Sequence, residues 1–171
     1  MATTVVFVDS RLPGARALID ALAPGAVGFL VDAADDGLAR IAQAVAPMSG
    51  IDAVHIVCHG ESGALRLGAA PIDAVALAGH AADLAVLRTA LAPGADLLLT
   101  ACDVARGAQG LAFVESLAAA TGADVAASDA RVGGDGGLVT LNTATGPLQS
   151  APLLLPASLL HRPPSGPRAL K

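Results

Sequence analysis

The 171-residue sequence predicts an α/β fold of three layers, a mostly parallel central sheet with helices on both faces. Two observations lead there. Short apolar runs of strand length alternate with segments of helical spacing from Thr4 to Ser128, joined by short links. The chain is also 54% hydrophobic, with a mean hydropathy of +0.64, yet no apolar run approaches the roughly 20 residues of a membrane span. Strands buried on both faces beneath alanine-rich helices account for such a figure.

The elements follow in order. TVVFVD, Thr4–Asp9, is a strand, and Gly14–Leu22 carries Ala, Leu and Ile at helical spacing. AVGFLV, Ala26–Val31, is the second strand. Asp36–Val45 is a second helix with its acidic residue at the start, where the macrodipole favours it. Ile51–His59 is the third strand. Gly63–Ile72 reads as a short hairpin with glycines at its turns. His80–Leu91 is the third helix, Asp96–Cys102 the fourth strand, and Gln109–Thr121 a fourth helix closed by Gly122. Asp124–Ser128 is a fifth strand, and Gly137–Asn142 an edge strand after the loop VGGDG. Residues 1–146 make one domain. From Pro147 the character changes: five prolines precede Ser165 and the end is basic, so 147–171 is expected to be a Pro-rich tail or linker that adds little to the core.

Composition removes several classes of function. A net charge of −5 with no basic run in the folded part argues against nucleic acid, and the absence of Trp and Tyr removes stacking platforms for single strands. MATTVVFVDS has no basic n-region and reads as a strand, not a signal peptide. Two cysteines, Cys58 and Cys102, make no disulfide framework.

Open α/β sheets bind beyond the carboxyl ends of their strands. Three such ends carry polar groups here: Asp9-Ser10, His59-Gly60 and Cys102-Asp103. If the third and fourth strands are neighbours, His59 and Cys102 emerge at one edge, a thiol beside an imidazole. Those are the minimal parts of a cysteine nucleophile and its proton donor. An imidazolium beside a thiol lowers its pKa from about 8.5 to well below 7. Gly60 lets its backbone N–H approach a substrate carbonyl, and with the N–H of Cys102 it would form an oxyanion hole contributing roughly 3–4 kcal/mol per donor.

A hydrophobic strand ending in His-Gly, followed by one ending in Ala-Cys, resembles the caspase-like (clan CD) superfamily of cysteine peptidases. More closely, FVDS, DGLARIAQAV, HIVCHGESGALRLG, LAPGADLLLTACDVARG and LAAATGADVAASD resemble an uncharacterised bacterial domain. That domain opens very large secreted or surface proteins of the adhesin and cadherin-like type. The resemblance spans residues 4–146. It implies a caspase-like fold, Cys102 as nucleophile, His59 as general acid, and Gly60 and Cys102 as oxyanion-hole amides. Asp9 and Thr100 would line the first specificity pocket and bind substrate. The substrate would be a peptide or protein, self-processing included, with no cofactor. A secreted or cell-surface location is implied, whereas the N-terminus itself is compatible with the cytoplasm. TAC stands where close relatives often have YGC, and SDARVGG where they often have a second acidic residue and a bulkier loop.

Plainer readings stand beside these. His59 alone would be a strand-end histidine bonded to backbone, and Cys102 a small buried hydrophobe. Asp9 and Ser10 would cap a turn. Cys58 faces away from His59 and belongs to the core. His55 lies about 13 Å back along the strand, so no metal pair forms, and His55, Cys58, His59 and His80 match no zinc spacing. Asp129 and Asp135 read as loop solvation or a calcium contact. If Asp9 is free in the pocket, cleavage after Arg or Lys is favoured, unless Arg106 or Arg131 enters and inverts the preference. Two other functions fit: a non-catalytic module in adhesion or assembly, and a hydrolase of other acyl bonds.

Overall fold

Val5 to Asp9 are buried without interruption, as expected of a strand with neighbours on both edges and cover on both faces. This strand, β1 (Thr4–Asp9), pairs with β2 (Ala26–Val31) on one side and β3 (Ile51–Val57) on the other, both parallel. In the computed structural model, which describes residues 3–132 and 141–151, β6 (Leu91–Thr100), β7 (Asp124–Ala127) and β8 (Thr143–Ala144) complete a six-stranded sheet. Its order is β2-β1-β3-β6-β7-β8, parallel except for β8. The crossovers α1 (Ala15–Asp20), α2 (Gly37–Val45), α3 (Ala74–Gly79), α4 (Ala81–Ala90) and α5 (Gly107–Thr121) form the outer layers. A two-stranded hairpin, β4 (His59–Glu61) with β5 (Ala64–Arg66), stands at the end of β3.

Strand alternation divides the core in two. Val5, Phe7, Val54, Ile56, Leu97 and Leu99 pack beneath α2, α4 and α5. Val6, Val8 and Val57 pack with Leu12, Ala15 and Leu18 around α1 on the opposite face. The amphipathic spacing of α2 buries Leu38, Ile41, Ala42 and Val45, and its N-cap Asp36 accepts from the Ala39 N–H at 3.1 Å. No helix among the described residues is long and apolar enough to cross a membrane.

Several boundaries differ from the expectation. The third strand stops at Val57, and His59 opens a new strand that pairs with Arg66. The hairpin therefore covers 59–66, tied onward by a bridge between Leu65 and Ile72. The helix α3 was not expected; Asp73 caps it by accepting from the Ala76 N–H at 3.0 Å. The edge strand expected at Gly137–Asn142 falls largely outside the described residues, and the antiparallel edge that is described is Thr143–Ala144. Of the stretch from Pro147 on, the described residues reach Ala151. Within it, Gln149 and Ser150 each donate a backbone N–H to the buried Asp96 carboxylate at 2.7 Å.

Candidate active site

Adjacency of β3 and β6 brings His59 and Cys102 to one edge of the sheet. Val57 lies opposite Thr100, and the Cys58 N–H donates to the Thr100 carbonyl at 3.2 Å, so the two strands still touch where they end. Val57 and Thr100 point to the α1 face, and Cys102, two residues beyond Thr100, packs against the same cluster, while His59 follows the bend at Cys58 and opens the hairpin. Cys102 is half-buried against the cluster containing Val57 and Val132, while His59 is exposed.

Gly60 lies close against the segment that follows β6. A Cβ at this position would sit 2.6 Å from the Cys102 carbonyl oxygen and 2.9 Å from Ala101 Cβ, so no larger residue fits without movement. Opposite it, Leu65 donates its N–H to the Ile72 carbonyl at 2.9 Å and accepts from the Ile72 N–H at 2.8 Å. Gly60 and Leu65 are therefore a non-hydrogen-bonded pair, and the Gly60 N–H points away from β5.

The loop after β7 braces Cys102. The Val132 N–H donates to Cys102 Sγ at 3.4 Å. The Asp103 N–H donates to the Ala130 carbonyl and the Ala105 N–H to the Ser128 carbonyl, each at 3.0 Å. Asp103 has φ 63, the one positive φ outside glycine among the described residues. Asp is among the few residues besides glycine that adopt this conformation readily, and it turns the chain sharply just after Cys102.

Asp9 is not the open carboxylate expected of a pocket for basic side chains. Arg11 donates to it through its backbone N–H at 2.9 Å, Nε at 2.8 Å and Nη2 at 2.6 Å, and the Gly68 N–H donates at 3.0 Å. Four donors occupy the acceptor positions a carboxylate offers. Burial alone pushes Asp9 up, but the bonds from Arg11 and Gly68 outweigh it and hold the group below its ordinary value. Asp9 follows Phe7 onto the α2 face, whereas Thr100 lies on the α1 face, so the two candidate pocket residues do not share a side of the sheet. Thr100 is fully buried, and its hydroxyl has no partner among the described residues. Arg106 lies 3.8 Å from Asp103 and Arg131 is exposed. Neither is the arginine at Asp9.

The remaining candidates sort by burial. Cys58 is fully buried in the α2 face, and burial followed by the charge of Asp9 pushes its thiol up, which keeps it neutral. His55 is buried on the other face; burial drives its pKa down to about 4, against the pull of Asp96. Asp129 is bonded to Asn142 at 2.6 Å, and Asp135 lies outside the described residues. Among the described residues no cluster of three His, Cys, Asp or Glu side chains is placed to hold a metal ion.

Sequence reasoning missed Arg11 and Val132, and it named Asp103 at the strand end without the positive-φ turn. Arg11 had a signal, standing two residues after a carboxylate at a turn. Val132 had none, because a backbone N–H is the same at every residue. No curated protein and no solved structure matches the chain. A family model described as "Domain of unknown function (DUF4347)" matches residues 5–161, nearly the whole length, and the chain belongs to that family.

Proposed function

We propose that the protein is a cysteine peptidase of caspase-like type, with Cys102 as nucleophile and His59 as proton donor. The observation that carries this reading is the junction of β3 and β6, where both residues follow the ends of neighbouring strands and Gly60 lies against the Cys102 carbonyl. In the reaction, Cys102 Sγ bonds to the scissile carbonyl carbon while the C–N bond breaks and His59 protonates the departing amine. Water then hydrolyses the thioester and regenerates the thiol. The Gly60 N–H, turned away from β5, and the Cys102 N–H are the oxyanion donors. The substrate is a peptide or protein, the chain itself included.

The braced Cys102 and the turn at Asp103 favour an active site over a buried structural thiol. Arg11 on Asp9 bears on the competing reading, a non-catalytic module in adhesion or assembly, because the pocket expected to take a basic side chain is already occupied. A peptide library with the residue before the scissile bond varied tests the proposal against a Cys102→Ala control. Iodoacetamide labelling at pH 7 is read alongside. Cleavage lost in Cys102→Ala and in His59→Ala, with rapid labelling of Cys102, is the expected result. No cleavage of any peptide together with slow alkylation overturns the peptidase reading in favour of the module.

A further inference from the structure

The α1 face of the sheet is buried over a wider area than α1 covers. Alternation puts Ala53, His55, Asp96, Leu98, Thr100 and Ala126 on this face, because their neighbours Val54, Leu97 and Val125 pack on the other. Leu98 lies opposite His55 on one side and Ala126 on the other. All six residues are buried, Leu98 and Ala126 completely. Yet α2, α3, α4 and α5 send Ile41, Leu77, Leu87 and Phe113 into the opposite cluster, and α1 gathers Val6, Val8 and Val57. Among the described residues neither Leu98 nor Ala126 joins the cluster around α1. Parallel strands in the middle of a sheet are covered on both faces, and here β6 and β7 need a layer that α1 does not supply.

The polar atoms of the face indicate what kind of layer this is. His55 Nδ1, Asp96 Oδ1 and Thr100 Oγ1 are buried and have no hydrogen-bond partner among the described residues. An apolar layer keeps water from such atoms without bonding them. The chain itself leads to the spot. After β8 the Thr145 N–H donates to the Val125 carbonyl at 2.9 Å, and the Gln149 and Ser150 N–H groups then donate to Asp96 Oδ2 at 2.7 Å. Asp96 stands at the margin of the face, so Ala151 is delivered there. The sequence continues as PLLLPASLLH, residues 152–161, with five leucines and no acidic or basic residue before His161. The family match extends through this segment. From Asp96 to Thr100 a strand runs about 13 Å, and ten residues reach about 15 Å as a helix or about 33 Å extended, enough in either form.

We propose that residues 152–161 dock on this face, their leucines over Leu98 and Ala126, and close the core across β3, β6 and β7. The bonds from Gln149 and Ser150 to Asp96 set where the segment enters. It is then part of the domain and not a linker, whether or not the dyad cleaves peptides. Burial beneath it keeps His55 near a pKa of about 4, against the charge of Asp96 on the same face.

The full chain, labelled with 13C at leucine and alanine methyls and 15N at histidine, provides the test. The expected result is nuclear Overhauser contacts from the Leu98 and Ala126 methyls to leucine methyls of residues 152–160. In a mixture of labelled and unlabelled chains these contacts should stay within one molecule. Contacts between molecules would put a second copy on the face and overturn the proposal, as would no contact at all. Leu154→Asp combined with Leu159→Asp sets charge against the apolar face. The double variant should melt at lower temperature, and water reaching His55 should move its titration from about 4 up toward 6.5. Leu170→Asp, beyond the segment, should change neither. A folded double variant with an unmoved His55 overturns the proposal. If that variant does not fold, the contacts in the unaltered chain decide.

Discussion

Gly60 and Cys102 are in backbone contact: a Cβ on Gly60 would lie 2.6 Å from the Cys102 carbonyl oxygen. A carbonyl held by the turn at Asp103 yields little, so Gly60→Ala must push β4 away from the end of β6. Overpacking of this kind costs about 1–3 kcal/mol. Urea unfolding should show that loss, and Cys102 should alkylate at a different rate once its neighbour has moved. Unchanged stability together with unchanged labelling would mean that the hairpin has room to shift.

Arg11 determines the state of Asp9. Arg11→Ala leaves a carboxylate 1% exposed with backbone donors only. A lost charge-assisted bond costs about 1–3 kcal/mol. The loss should fall toward the lower end, because the Arg11 side chain is 45% exposed and water can replace it. Arg11→Lys should recover only part, since an ammonium cannot make the forked contact. Asp9 has a depressed folded pKa, so its contribution is present above the ordinary carboxylate value of 3.8 and is lost as pH falls through the folded one. That contribution should shrink in Arg11→Ala, moving acid unfolding to higher pH.

His55 should make the fold sensitive to mild acid. Its pKa is about 4 in the fold against 6.5 as the ordinary value, because burial disfavours the imidazolium. A depressed histidine stabilises above its unfolded pKa, and that stability is lost as pH falls from 6.5 toward 4. The full effect is on the order of 3 kcal/mol. Unfolding free energies measured at pH 7, 5.5 and 4.5 should decline over this window, and His55→Leu should flatten the decline. An equal slope in both proteins would assign it to other groups.

Asp96 ties the chain beyond Pro147 to the sheet. Truncation after Ala151 keeps the Gln149 and Ser150 N–H groups that Asp96 accepts, whereas truncation after Leu148 removes both. The shorter protein should be less stable than the longer by about 1–3 kcal/mol, the cost of stranding a buried acceptor. Equal melting temperatures would show that water takes their place.

The layers, most strands and helices α2, α4 and α5 were legible in the sequence, because periodic apolar residues state both an element's type and the face it buries. Thr4–Asp9 and Ala26–Val31 appear with the expected limits for that reason. The short α3 was not legible: six residues of Ala, Val, Leu and Gly hold too little periodicity, and the helix depends on the Asp73 cap. The break after Val57 was hidden as well, because an unbroken apolar run continues through Cys58 into His59.

His59, Gly60 and Cys102 stood out in the sequence as polar or small residues at the ends of apolar strands, a local pattern that needs no knowledge of neighbours. Their meeting depended on strand order, and the alternation of strands and helices does not say which strands pair. The role of Asp9 changed for a related reason. The sequence determined that a carboxylate stands at the end of β1, but its availability depends on what surrounds it, and only the tertiary structure decided that. Folding brought the Gly68 N–H, 59 residues away, against Asp9, and the same loop accepts from the Arg11 guanidinium through the Gly68 carbonyl, fixing the cation in place. A charge is written in one residue; its partner is set by the packing of several elements at once.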